Sequence, residues 1–380
     1  MDKMGLVLAG GGALGAYEVG VYEVLKQLGY KFDIITGTSI GAINASFIAS
    51  GQFEKALELW ETASTEMIMK DGINISLRVF KEYKSDYQKL IKAGKSFIKN
   101  KFSMDNTPFK EYVKANLDID RLYDSPVELG VVTTRIPSFT GEEVVVKQLP
   151  RDKVLSYIHA SSACVPVFPI ETIDDKKYID GVYHDNLPIQ FAFNLGATKV
   201  IAVDLRLFSM KPQNSFFLSL PNVTYIAPYI NLGAMMDFSH DTISKNIELG
   251  RLDALKHFKI LRGYYYAFRN EECPFANEFI TGIVEKYGKK SKLIFKQLTK
   301  GIRTPMDEID YYYRTLEIIL RKCGFNDYYR VISINEAKQI ISSSIKNRQY
   351  KKNIYKLTHI LAHPALSSYF NDFLSISMKN

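Results

Sequence analysis

The stretch Ile34-Ile35-Thr36-Gly37-Thr38-Ser39-Ile40-Gly41-Ala42-Ile43-Asn44 limits the fold more than any other part of the chain. Apolar, β-branched residues run into Gly37-x-Ser39-x-Gly41, and small residues that suit a helix follow, so Ser39 is expected at a strand-to-helix corner. A turn that tight presses backbone on backbone two residues to either side of the serine, where a Cβ would collide. Gly37 and Gly41 stand at those positions. The corner also sets a hydroxyl at a helix N-terminus, whose free N–H groups favour negative charge. A nucleophile fits there. A serine N-cap at a glycine-rich junction fits the same five residues, so the surrounding chain has to decide.

Upstream, Gly5-Leu6-Val7-Leu8-Ala9 reads as a strand, Gly10-Gly11-Gly12-Ala13-Leu14-Gly15 as a loop, and Ala16, Val19, Gly20, Val24, Leu25 and Leu28 recur at helical spacing. Together with Ile34 to Thr38 this makes a βαβ unit, which implies a parallel sheet with helices on both faces and ligands beyond the carboxyl ends of the strands. The glycine loop and Ser39 share that edge, where backbone N–H groups of Gly11 and Gly12 can hold an oxyanion. Gly10-x-Gly12-x-x-Gly15 followed by Asp33 also matches the fingerprint of a non-catalytic dinucleotide-binding module. Against that, the ribose-binding carboxylate should close the second strand, and Asp33 opens it.

From Gln52 to about Asp120 the chain reads helical, with Trp60, Met67 and Met69 and a lysine-rich amphipathic stretch from Val79 to Phe102, suiting a lid or substrate wall over the sheet edge, or a plain surface helix pair. Strand character returns at 127–134 and 143–146, with Gly141 turning between them. His159-Ala160-Ser161-Ser162-Ala163-Cys164-Val165-Pro166 is built of small residues and should pack closely against something. Tyr178-Ile179-Asp180-Gly181 ends an apolar run on a carboxylate, Asn186-Leu187-Pro188 is turn-like, and Lys199 to Asp204 is another strand. Asp237 to Leu261 reads as one long amphipathic helix, and from about Glu271 the pattern is helical, with Tyr311-Tyr312-Tyr313 and a basic run near Lys351-Lys352.

Composition narrows the class. With 380 residues, 46% apolar and 24% charged, the chain suits one large domain plus an appendage, and neither disorder nor a membrane bundle is indicated. Two uncharged windows, Ile34 to Phe53 and Pro212 to Met236, hold too many Gly, Ser, Asn and Pro residues for spanning helices; a buried helix and an irregular, lipid-facing loop are expected instead. Cys164, Cys273 and Cys323 are widely spaced and odd in number, which fits a reducing compartment and neither a disulfide framework nor a zinc site. The N-terminal residues lack the apolar core of a signal peptide, so a cytoplasmic location is expected. From Ile201 onward 26 Lys and Arg face 16 Asp and Glu, whereas residues 1–200 hold 23 against 25. The basic half can meet an anionic membrane, nucleic acid or only water.

Four ordered blocks, namely Gly10 to Gly15, Gly37 to Gly41, Ala160 to Pro169, and Asp180-Gly181 with Asn186 and Pro188, resemble the patatin-like phospholipase family of lipid acyl hydrolases over roughly residues 4 to 265. The resemblance implies a three-layer α/β/α fold with a mainly parallel central sheet, a catalytic domain at 1–265 and a mainly helical C-terminal extension at 266–380. It implies Ser39 as nucleophile and Asp180 as general base, with no histidine required, an oxyanion hole from Gly10, Gly11 and Gly12, and Gly15, Gly37, Gly41 and Gly181 as support. Burial should raise the pKa of Asp180 and make it a better base. No metal or other cofactor is called for, and no nucleic acid partner. The implied substrate is a phospholipid or other lipid ester, met by peripheral contact with a membrane surface; a homo-oligomer is open, as is acyl transfer to an acceptor other than water. Two departures stand out: Leu14 replaces a basic residue frequent in the family's loop, and Val182 replaces a small one after the Asp-Gly. His159 and His184 are expected to be structural or supporting.

Overall fold

The computed structural model describes residues 2–70, 103–206, 212–271 and 276–346, with Tyr369 and Phe373. The lysine-rich stretch from Val79 and the run at Lys351-Lys352 lie outside these residues. Two compact units divide the chain, Met1–Arg251 and Leu252–Asn380. The division falls earlier than the boundary expected after residue 265, inside a long helix. Among the described residues no helix is long and apolar enough to cross a membrane.

The first unit is built on β1 (Met4–Leu8), α1 (Ala16–Gln27), β2 (Ile34–Thr38), α2 (Ile40–Ala49) and α3 (Phe53–Thr62). Parallel strands β3 (Glu128–Ile136), β2, β1, β7 (Lys199–Val203) and β8 (Val223–Ile226) follow one another across the sheet. Antiparallel β4 (Thr140–Val145), β5 (Glu171–Ile173) and β6 (Lys176–Asp180) complete it on the β3 side. β1 and β2 are buried on both faces, so they carry unbroken apolar runs with no alternation. Thr36 and Thr38 are the exceptions. Their hydroxyls donate to Pro188 O at 3.0 Å and Asp185 O at 2.7 Å on one face, leading into the helix Ile189–Asn194. Gly37, pointing the other way, meets Gly41 of α2, so helices cover both faces and the fold has three layers.

The register along β3 decides where the chemistry can be. Residues 130–132 pair with β4 as well as β2, and residues 133–135 pair with β4 as well as β6. A strand has only two edges, so β2 and β6 share one edge of β3 and run toward each other end to end. Thr38 lies opposite Val132 and Asp180 opposite Thr133, which leaves Ser39 and Asp180 facing each other across a single register step. Gly181 sits at that junction, where a Cβ would fall 2.2 Å from Val132 O.

The window from Ile34 to Phe53 is β2 followed by α2 and the first residue of α3, and both β2 and α2 are buried at every residue because their sequence is mostly apolar or small. The window from Pro212 differs from the expected irregular loop: it contains a short helix, Pro212–Phe217, and β8, where Val223-Thr224-Tyr225-Ile226 pairs with β7. Four β-prone residues between prolines give too short a signal to read alone. The long helix α5 (His240–His257) begins after Asp237, whose carboxylate accepts from Ser239 N and Thr242 Oγ1. Gly20 of α1 and Gly250 of α5 permit close approach, since their Cβ atoms would fall 2.0 Å from Ile247 O and 2.1 Å from Tyr17 O.

The second unit is not helical throughout. A small sheet of β9 (Leu261–Arg262), β10 (Ala267–Arg269) and β11 (Val331–Ile332) joins helices that include α6 (Ser291–Leu298) and α7 (Glu308–Lys322). Strands of two or three residues show no periodicity in sequence, so only pairing reveals them. Tyr312 and Tyr313 of the tyrosine run are buried in a core with Phe268, Ile294, Leu316 and Leu320. Glu317, fully buried, accepts the successive amides of Tyr264, Tyr265 and Tyr266 at 2.6, 2.7 and 3.0 Å and pairs with Arg314 at 3.0 Å.

Candidate active site

Ser39 is the N-cap of α2 with φ 56° and ψ −126°, a conformation that costs a side-chain-bearing residue roughly 1–3 kcal/mol. The surrounding backbone enforces it. A Cβ on Gly37 would lie 2.5 Å from Gly41 O, and one on Gly41 would lie 2.5 Å from Leu8 O. No other residue type fits either side of the corner.

Ser39 Oγ donates to Asp180 Oδ2 at 2.6 Å, and the Val182 N–H donates to Asp180 Oδ1 at 2.9 Å. Among the described residues these are the side-chain hydrogen bonds of both groups, and no histidine takes part. Burial pushes the Asp180 carboxyl from 3.8 up to about 7, while the bonds from Ser39 and Val182 pull the other way. The small-residue segment holds both backbones. Ser161 Oγ accepts the Ser39 N–H at 2.9 Å, and Ala163 O accepts the Asp180 N–H at 3.0 Å. Ser161 ends the helix α4 (Val154–Ser161), so larger side chains there would push the strand ends apart.

The glycine loop lies over Ser39, and Gly10 departs from the expected donor set. Its N–H is already given to Asn186, at 3.0 Å to Oδ1 and 3.3 Å to the carbonyl, and Asn186 Nδ2 returns a bond to Gly10 O at 3.2 Å. The amides of Gly11 and Gly12 have no acceptor among the described residues. Gly12 has φ +57°, and a Cβ there would fall 2.4 Å from Met235 O, which accepts the Ala13 N–H at 2.7 Å. A Cβ on Gly15 would meet Ile40 at 2.8 Å, bringing loop and elbow together.

Ser39, Asp180 and Gly10 to Gly12 open on a cleft of about 550 Å³, solvent at its mouth included, walled by Ile68, Phe109, Phe168, Met235, Met236 and Phe238. The sequence picks out Met67 and Met69 but not Ile68, and it marks Phe168 and Met236 only as the ends of segments, not as parts of a wall. The wall residues come from segments up to 170 positions apart in number, and no period links them. Leu14 is buried, and Val182 lines the cleft.

The histidines do other things. The His184 ring lies against Gly141, where a Cβ would fall 1.9 Å from Cγ. His159 is held down near a pKa of about 4 by burial and by Lys110. Asp33 accepts the Met4 N–H at 2.8 Å, at the start of β1 and β2 and the opposite end of these strands from the glycine loop. The dinucleotide reading needs both at one edge, and is not favoured.

The family model described as patatin-like phospholipase matches residues 6–193. Curated relatives include patatin-like phospholipase domain-containing protein 7 of Mus musculus, 28% identical over 211 residues, which is 54% of this chain and 14% of that protein. Lysophospholipase nte1 of Aspergillus terreus is 26% identical over 208 residues, 53% of this chain and 12% of that protein. The match thus spans about an eighth of those relatives' lengths. A solved structure, VipD from Legionella pneumophila, aligns with 100% of this chain and 88% of its own at 13% identity and a TM-score of 0.41. Through residues 6–193, which hold both the elbow at Ser39 and the strand end at Asp180, the chain belongs to the patatin-like phospholipase family.

Proposed function

We propose that the chain is a serine lipid acyl hydrolase of the phospholipase A or lysophospholipase type, working through Ser39 and Asp180. The observation that carries this is the 2.6 Å hydrogen bond from Ser39 Oγ to a buried carboxylate, beside the unpaired amides of Gly11 and Gly12. Asp180 takes the hydroxyl proton as Oγ attacks the ester carbonyl, and Gly11 and Gly12 hold the resulting oxyanion. The tetrahedral intermediate collapses with loss of the alcohol, which receives the proton from Asp180. Water then gives its proton to Asp180 and attacks the acyl-enzyme, releasing the carboxylic acid and restoring Ser39. The apolar wall suits an acyl chain. No observation favours an acceptor other than water.

Incubating the purified protein with mixed lipids and identifying released fatty acids by mass spectrometry tests the reading, alongside labelling of Ser39 by a fluorophosphonate. Free fatty acid with labelling at Ser39 supports it; neither product nor label removes it. His184→Gln should keep activity within about threefold, because neither Ser39 nor Asp180 bonds to that ring. A loss as deep as that of Ser39→Ala would mean a triad.

Contact with an anionic membrane belongs to the same proposal. Lys289, Lys292, Lys296 and Lys300 follow helical spacing along α6 and its flanks with Leu293 between them; all are exposed, and none has an acidic partner among the described residues. Each lysine near an anionic bilayer contributes about 1 kcal/mol. Changing the four to Glu should lower sedimentation with phosphatidylserine-containing vesicles by about 100-fold or more and leave hydrolysis of a soluble ester unchanged. Equal sedimentation of both proteins would remove this surface as the contact.

A further inference from the structure

Under the glycine loop is a polar cluster that the proposed chemistry does not use. Glu18 of α1 is 0% exposed and has no cation beside it among the described residues. Its Oε2 accepts Asn44 Nδ2 at 2.8 Å, and its Oε1 has no partner among the described residues. Burial holds the carboxyl well above its usual range, the bond from Asn44 opposes that rise and the nearby Asp204 adds to it. Asn44 lies on α2, five residues past Ser39. Its Nδ2 also donates to Gly15 O at 3.1 Å, and its Oδ1 accepts Trp60 Nε1 of α3 at 2.9 Å.

A buried helix contact needs none of this. Leucine at position 18 would pack α1 against α2 without an unpaired oxygen, so stability alone does not explain an acid there. What the cluster touches explains it better. Gly15 ends the glycine loop, and Asn44, held by Glu18, ties its carbonyl to the helix that carries Ser39 at its N-cap. On the substrate side Asn186 clamps Gly10, and Gly15 packs against Ile40 beside the nucleophile.

We propose that Glu18 and Asn44 are positioning residues that fix the glycine loop relative to Ser39, so that the Gly11 and Gly12 amides stand where the oxyanion forms. Its catalytic consequence rests on the acyl hydrolase reading; the mechanical claim does not. Glutamine at position 18 still accepts from Asn44, whereas leucine does not. A displacement of about 1 Å at a reacting centre costs on the order of 100-fold in rate.

The test compares Glu18→Gln and Glu18→Leu in the full chain by hydrogen exchange of the peptide spanning residues 9–15, by kcat and KM on a soluble short-chain ester, and by thermal melting. For the leucine variant the expected result is faster loop exchange, kcat down about 100-fold with KM within about twofold, and a melting temperature no lower than that of the unaltered protein. The glutamine variant should recover kcat to within about threefold. Unchanged loop exchange in Glu18→Leu overturns the proposal, as does a loss of kcat that glutamine fails to repair or that comes with global loosening. If the unaltered protein hydrolyses no ester, the acyl hydrolase reading falls, while loop exchange alone still decides whether Glu18 anchors the loop.

Discussion

Replacing Ser39 with Ala is expected to lower kcat for ester hydrolysis by roughly 10⁴- to 10⁶-fold and to abolish fluorophosphonate labelling, with the fold intact. The hydroxyl is the group that becomes covalently bound, so its loss removes the acyl-enzyme altogether and leaves only the cleft and the Gly11 and Gly12 amides. Alanine carries the same Cβ at φ 56° as serine, so the strain of the corner is unchanged. The missing partner of Asp180 Oδ2 is felt as a further rise in that carboxyl's pKa, because the Ser39 bond is what lowers it most. Fatty acid release by the variant, measured against the unaltered protein, decides the matter: retention of even a hundredth of the activity would show that Ser39 is not the nucleophile.

Asp180→Asn is expected to be nearly as damaging and to leave a distinct pH signature. Asparagine can keep its Oδ1 on the Val182 amide and turn its NH2 to Ser39 Oγ, preserving geometry while removing the proton acceptor. A loss of roughly 10³- to 10⁴-fold in kcat should follow. In the unaltered protein the base must be ionised, so with its pKa at about 7 the value of kcat/KM should fall about tenfold per unit as pH drops below that point. The same shift acts on stability in the opposite direction. The folded chain holds the proton of Asp180 up to about 7, whereas the unfolded chain releases it near 3.8, so stability present at low pH is lost as pH rises from about 4 to 7. Above that range the buried charge costs about 4 kcal/mol, which asparagine does not incur. The variant should therefore melt above the unaltered protein at pH 8 and show no such gain at pH 4. A rate that is flat from pH 5 to 8, or melting temperatures that coincide at pH 8, would remove the carboxylate as the base.

The corner at Ser39 was legible because its causes are local. β-branched residues, two glycines at fixed offsets and a run of small residues leave one steric solution, and the contacts that enforce it involve Gly41, Leu8 and Ala9. The end of β6 at Asp180 was legible as a motif, but its pairing with Ser39 came only from the family resemblance, because the two lie 141 positions apart. Gly10 was misjudged for the same reason: its N–H is taken by Asn186, 176 positions on, and nothing in a glycine loop says which of its amides will be spent. Glu18 was passed over because in a helical pattern an acid reads as a solvent face, and burial depends on α2 lying across it. A wall from the segment after Gln52 was legible, but its residues were not, because Phe109, Phe168 and Met235 converge only through folding.

The sequence by itself determined the strand, the turn and the helix at each end of the future site, since these follow from short-range sterics and side-chain periodicity. Tertiary structure alone decided that the ends meet. Pairing along β3 sets Thr38 against Val132 and Asp180 against Thr133, and that single register step brings the two side chains to 2.6 Å. It also takes Asp180 out of water, and with the water goes the low pKa of an ordinary aspartate. Register is a cooperative property of a whole sheet, summed over many cross-strand contacts, and no local pattern in the chain carries it.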